Sequence, residues 1–198
     1  MVKKVVLLAV LALALPFAAF ADSSIDIGNA GGTITGNASG LSLSGSTLFK
    51  VGSAVGSNLG TLTFTTGAFT SGNAQSGGTL AAGGSFVITG NGTNGVPNGV
   101  IFSGSFTSTP TSPIKWDVMT LANGTHTYTL TGGLVNASGQ VAATAQLTIN
   151  TGKGYFNGST GLSSGDTNLS VPEPGTLTLL GTGLVGIAGA IRRKLNLS

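Results

Sequence analysis

Apolar and polar residues alternate with a period of two along much of the chain between residues 61 and 150. In 61–66, Leu62 and Phe64 fall on one face and the threonines fall on the other. The same alternation recurs in four later segments, 85–89, 100–107, 125–131 and 143–150. Because successive side chains of a strand point to opposite faces, this pattern predicts half-buried β-strands.

Asn-Gly and Gly-Gly pairs separate these segments and supply the positive φ values that tight hairpin turns need. Many short strands without intervening helical periods predict an all-β body over residues 22–150, an antiparallel β-sandwich of jelly-roll-like plan. A β-solenoid is the alternative architecture, but no fixed repeat period supports it. The least patterned segments, 23–40 and 151–170, are interpreted as an N-terminal edge strand with loops and as a flexible linker.

The first 21 residues differ chemically from this body. Two lysines precede an apolar run over 5–15, and a small-residue segment ends in Ala19-Phe20-Ala21. A basic start, an apolar stretch of this length and an A-x-A site are typical of a secretory signal peptide. Residues 1–21 are therefore predicted to be removed by signal peptidase between Ala21 and Asp22.

The last 28 residues, 171–198, also form a distinct segment. They begin with Val171-Pro172-Glu173-Pro174, continue with 17 uncharged residues over 175–191, and then carry Arg192, Arg193 and Lys194. The span predicts a transmembrane helix over about 175–194, close to the shortest length that crosses a bilayer. The basic cluster predicts that its C-terminal end lies on the cytoplasmic side of the inner membrane.

This tail resembles the PEP-CTERM sorting domain, through Pro172-Glu173-Pro174, the apolar span and the terminal basic cluster. The resemblance implies recognition by an exosortase, a membrane-embedded processing enzyme, and a link to exopolysaccharide or biofilm. It implies an exported protein that is membrane-anchored, at the cell surface or in the extracellular matrix after processing. It covers only the tail and implies nothing about the fold of the body.

Charge and cysteine content exclude several function classes. The formal charge of +3 arises from the two ends, since residues 22–170 carry three lysines against four aspartates. Residues 22–170 offer no basic patch for phosphates, so no nucleic-acid partner is expected. The chain has no cysteine and one histidine, and we expect neither a metal site nor a cofactor.

Residues able to perform catalysis are scarce, and the protein is predicted not to be an enzyme. His126 alternates with Tyr128 and Leu130, which favours a partly buried histidine over a catalytic one. A glycosidase needs two carboxyl groups, and the pair considered is Asp117 with Asp166 because the other two aspartates lie near the mature N-terminus. Nothing in their spacing distinguishes this pair.

Trp116 is the only tryptophan, and it lies between Lys115 and Asp117. Its alternation with Ile114 and Val118 favours a place in the core. An exposed Trp116 would instead be a glycan contact. Two hypotheses follow for the body, a structural surface or matrix protein and a carbohydrate-binding or adhesive module, and the sequence leaves both open.

Overall fold

A computed structural model of the protein describes residues 24–170, and every regular element in that range is a β-strand. The segments that alternate with a period of two are thus strands, as the sequence predicts. The strands are β1 (Ser24–Ala30), β2 (Thr33–Asn37), β3 (Gly40–Val51), β4 (Ala54–Val55), β5 (Gly60–Thr65), β6 (Phe69–Asn73), β7 (Gly77–Leu80), β8 (Gly83–Asn91), β9 (Asn98–Thr107), β10 (Ile114–Thr120), β11 (His126–Asn136), β12 (Val141–Gly152), β13 (Ser159–Gly161) and β14 (Ser164–Ser170).

Eight of these strands close into a barrel in the order β12-β14-β1-β3-β5-β8-β9-β11, because β11 pairs again with β12. Every neighbouring pair is antiparallel. The all-β prediction is confirmed, but the predicted sandwich of two separate sheets is replaced by one continuous sheet. The ten-position register between β11 and β12 joins what would otherwise be two open sheet edges.

The remaining strands branch from the two long strands β11 and β3. One edge of β11 pairs first with β10 and then, from Gly133 onward, with β9. β10 continues the sheet outward through β7 to β6. One edge of β3 is divided in the same way between β2 and β1, and β13 pairs with β2.

The core fills the interior of the barrel with the apolar residues of the alternating segments. Phe64, Phe86 and Phe106 pack with ring centroids 5.6 to 6.0 Å apart, and each is at most 2 % exposed. Trp116, Tyr128 and Phe156 form a second aromatic group. The threonines of β5 face outward, as their alternation predicts.

Residues 151–170, predicted to be a flexible linker, include β13 and β14, so that prediction is wrong. β14 lies between β12 and β1 and is part of the closed barrel. Its inward residues are Gly165, Thr167 and Leu169, so two of the three buried positions lack an apolar side chain. The hydrophobic pattern is therefore too weak to reveal the strand. The predicted N-terminal edge strand, β1, likewise lies inside the sheet between β14 and β3.

Residues 24–170 contain no helix that is long and apolar enough to cross a membrane. The predicted signal peptide with its cleavage site, the predicted membrane helix and the terminal basic cluster lie outside the described residues.

Candidate functional site

A groove of about 370 Å³ lies on the outer surface of β3, β1, β14 and β12. The two ends of the body meet here, because β1 pairs with β14 along six residues. Cross-strand pairing places Gly28 beside both Lys50 and Asp166, and Asp166 beside Gln146. The side chains that line it include those of Asp26, Phe49, Lys50, Gln146, Thr148 and Asp166.

Phe49 is directed into this groove by a β-bulge. Gly28 pairs with Lys50 and Asn29 pairs with Leu48, so Phe49 has no partner on β1. A bulge of this kind re-aims a side chain, and Phe49 is 41 % exposed while Leu48 is buried. A Cβ atom at position 28 would lie 2.7 Å from Cζ of Phe49, so the ring rests against bare glycine backbone. The aromatic ring is therefore held in place and still open to solvent.

Three charged groups lie beside this ring. Lys50 forms an ion pair with Asp26, and the Asp26 carboxyl is hydrogen-bonded to that of Asp166. That hydrogen bond, with a further one from Lys50, lowers the pKa of Asp26. The same Asp26–Asp166 hydrogen bond, together with burial, raises the pKa of Asp166. Asp166 is therefore the last carboxyl of the pair to lose its proton, and it donates to Asp26 while it holds that proton.

A second hollow of about 260 Å³ adjoins the groove, and Gln146 and Asp166 line both. It extends over β12 to β11, where Gly133 leaves the outer face of the sheet without a side chain, and it is bordered by the turn residues Ser112 and Pro113. The two hollows together cross five neighbouring strands, β3, β1, β14, β12 and β11. At about 4.8 Å between strands, the track is about 19 Å long along the surface.

The structure does not bring together the carboxyl pair that the sequence suggested. Asp117 lies on β10, and β11 and β12 separate that strand from β14, which carries Asp166. Strand spacing alone separates the two by about 14 Å. Asp26, discounted for its position near the mature N-terminus, is the partner of Asp166 instead. No local pattern announces this pair, because it depends on β1 pairing with β14.

Phe49 was also missed, although the sequence holds a signal for it. Leu48, Phe49 and Lys50 interrupt the period-two alternation, with two large apolar residues in succession. Consecutive residues of a strand lie on opposite faces, so a buried Leu48 predicts an exposed Phe49 and would turn Lys50 inward. A lysine at such an inward position indicates a bulge, which keeps Lys50 on the outer face with Phe49.

Trp116 does not contact solvent, so the candidate glycan contact at this residue is wrong. Its side chain is fully buried, its Nε1 donates to the carbonyl oxygen of Ala74 at 2.8 Å, and its ring stacks on Tyr128. The alternation with Ile114 and Val118 places it in the core, as that pattern favours. A sugar cannot reach this ring in the folded body.

His126 is 6 % exposed, which agrees with the predicted partly buried histidine. Its Nδ1 lies 2.9 Å from the hydroxyl of Thr120, and its ring stacks on Tyr155 with centroids 4.0 Å apart. Both contacts are structural in kind, a hydrogen bond across β10 and β11 and a ring packed over the imidazole. Among residues 24–170, no three histidine or acidic side chains are grouped as a metal site requires.

Comparison with known protein families finds one match, at the end of the body. The model of the PEP-CTERM protein-sorting motif matches residues 170–194. The chain carries a PEP-CTERM sorting motif. This motif implies an exported protein that is processed by an exosortase and sorted to the cell surface. No curated protein and no solved structure matches the chain, so the body is assigned to no family.

Proposed function

We propose that this protein is a non-enzymatic structural component of the bacterial surface or extracellular matrix, associated with exopolysaccharide as in a biofilm. The PEP-CTERM motif at residues 170–194 carries the proposal. Signal peptidase would release the N-terminus at Asp22, and an exosortase would act on the segment around Pro172-Glu173-Pro174. Until then the basic cluster at 192–194 holds the tail in the inner membrane, with the body outside.

The junction between body and tail supports this interpretation. β14 ends at Ser170, and the matched motif begins at residue 170. A cut beyond Ser170 leaves every strand of the closed barrel in place, so processing at the motif can release an intact body. A cut within 164–170 would instead remove a strand that pairs on both edges.

The surface of the body supports a structural role in a hydrated matrix. Hydroxyl groups bond across neighbouring strands, as in Thr35 with Ser42 at 2.7 Å and Thr65 with Ser85 at 3.0 Å. Neutral hydrogen bonds of this kind are less sensitive to ionic strength than surface ion pairs. A body with three lysines and four aspartates therefore keeps its surface structure when the salt concentration outside the cell changes.

The carboxyl pair favours a non-enzymatic body. Retaining glycosidases hold their two carboxyl groups about 5 Å apart, and inverting ones hold them farther apart to admit water. Hydrogen bonding between Asp26 and Asp166 lowers the pKa of the first and raises the pKa of the second, a closer pairing than either glycosidase geometry uses. The arrangement suits recognition better than hydrolysis.

The test is to replace Glu173 or Pro174 by alanine in the full chain, with Asn196→Ala as a control outside the matched range. We expect the two motif variants to accumulate in the membrane at the mass of the unprocessed tail. The control should be processed as the parent is. Intact mass of the protein recovered from membrane, surface and medium measures both terminal cuts. Unchanged mass and location in the motif variants would remove the basis of the proposal.

A further inference from the structure

We propose that the groove around Phe49 is a binding site for neutral sugar units of a polysaccharide. The Phe49 ring is the stacking platform, and Asp26, Lys50, Gln146 and Asp166 are the hydrogen-bonding groups. This site names a partner for the proposed matrix function and rests on it for its biological setting. The binding of a sugar at this groove does not depend on how the tail is processed.

The aromatic platform is preorganised. The bulge at Phe49 and the missing side chain of Gly28 fix the ring on the sheet surface, while 41 % of the residue stays exposed. A sugar ring presents a face of C–H groups that packs on such an aromatic surface. Since the ring is already positioned against rigid strands, little side-chain freedom is lost when a ligand binds.

Polar groups of several kinds converge beside this ring. Lys50 supplies donors, Asp26 and Asp166 supply carboxyl oxygens, and the amide of Gln146 supplies both a donor and an acceptor. Neighbouring hydroxyl groups of a sugar each need such a partner. Small-molecule sites combine an apolar or aromatic surface with a few placed polar groups in this way.

The charges select against an acidic sugar. One lysine faces two carboxyl groups, so the groove has no positive excess with which to hold a uronate. A uronate carboxylate would meet Asp26 and Asp166 and be repelled by them. The groove is close to neutral while Asp166 keeps its proton, and it carries a charge of −1 once that proton is lost. A neutral sugar fits both states.

The adjoining hollow gives the site the length that a polymer requires. Gln146 and Asp166 form its shared wall with the groove, and the track continues over β11 at Gly133, where no side chain rises from the sheet. About 19 Å of surface is enough for more than one sugar unit. An oligosaccharide should therefore bind more tightly than its monosaccharide.

The experiment uses the full chain in a polyoxyethylene detergent, because a detergent with a sugar headgroup would compete for the site. Saturation-transfer difference NMR with irradiation of the aromatic protons detects sugars that bind the protein in fast exchange, and the Phe49 variants assign the site. The probes are tetrasaccharides of gluco, manno and galacto configuration, with tetragalacturonate as the acidic comparison. We expect transfer to at least one neutral probe, with saturation in the millimolar range.

Variants test whether Phe49 contacts the sugar or only supports the fold. Phe49→Ala should weaken binding by about tenfold or more, Phe49→Tyr should retain it, and Gln146→Ala should weaken it. Met119→Ala, which removes another exposed apolar side chain that lines neither hollow, should leave it unchanged. The emission of the buried Trp116 reports in each variant whether the body is folded.

Three results would overturn the proposal. They are no transfer to any neutral probe up to about 10 mM, equal transfer in folded Phe49→Ala, and preference for tetragalacturonate. Any of them leaves the sorting function untouched, since that depends on Glu173 and Pro174 and is measured by mass and location. Conversely, sugar binding with unchanged processing in the motif variants would contradict the sorting proposal alone.

Discussion

The indole ring of Trp116 stacks on the phenol ring of Tyr128, with centroids 5.2 Å apart and planes inclined by 26°. The Tyr128 hydroxyl donates to the carbonyl oxygen of Gln75 and accepts from the backbone N–H of Phe156. These contacts tie β10 and β11 to the loops that follow β6 and β12. The pair thus connects the closed barrel with the strands that branch from it.

Trp116→Ala should lower the free energy of unfolding by about 3–5 kcal/mol, because it leaves a large cavity and an unpaired carbonyl at Ala74. Denaturant unfolding followed by circular dichroism measures this loss. Met119 on the same strand is 59 % exposed, so Met119→Ala should change stability by less than about 0.5 kcal/mol. In the parent protein, Trp116 emission should be blue-shifted and resist quenching by iodide. A quenchable emission would contradict the buried position.

Leu169→Ala should lower the free energy of unfolding by about 2–5 kcal/mol, because Leu169 is an inward residue of β14 and 6 % exposed. Its neighbour Asn168 points outward, so Asn168→Ala should cost less than about 0.5 kcal/mol. Denaturant midpoints of the two full-length variants give the comparison. Equal, negligible effects would be the behaviour of a flexible linker and would contradict the place of β14 in the barrel.

His126→Ala should cost roughly 1–3 kcal/mol of stability, because it empties a buried position, removes the ring on which Tyr155 stacks and breaks the bond with Thr120. A double-mutant cycle with Thr120→Val isolates the hydrogen bond, and the double variant should lose less than the sum of the single ones. Additive losses would show that the bond contributes nothing. A hydrolytic activity that His126→Ala abolishes would contradict the non-enzymatic proposal.

Asp166→Asn should flatten the pH dependence of the melting temperature on both sides of pH 3.8, the ordinary pKa of an aspartate. Because the pKa of Asp166 is raised by folding, its contribution to the stability of the folded protein is present at low pH and is lost as the pH rises through that pKa. The lowered pKa of Asp26 has the opposite sign, so its contribution is lost as the pH falls. The pair is therefore most stabilising between the two pKa values.

The melting temperature of Asp166→Asn should rise relative to that of the parent protein toward neutral pH, because asparagine keeps a hydrogen-bond donor for Asp26 at every pH. Solvent screening limits this gain to about 3 °C. Parallel pH profiles for Asp166→Asn and the parent would show that the two carboxyls do not share a proton.

The sequence by itself determined the all-β fold class of the body and the sorting motif of the tail. Alternation of Leu62 and Phe64 with threonines is a local pattern, and strands display it wherever one face is buried. The PEP-CTERM motif is likewise a contiguous segment, whose recognition needs no fold. The core position of Trp116 follows from its two apolar neighbours at i−2 and i+2.

Only the tertiary structure decided the closure of the barrel, the role of β14 and the composition of the groove. Each depends on pairing between segments far apart in the chain, such as Asp26 on β1 with Asp166 on β14. Local propensity does not encode which strands become neighbours. A one-residue bulge, such as that at Phe49, redirects a side chain to the opposite face without a change in composition.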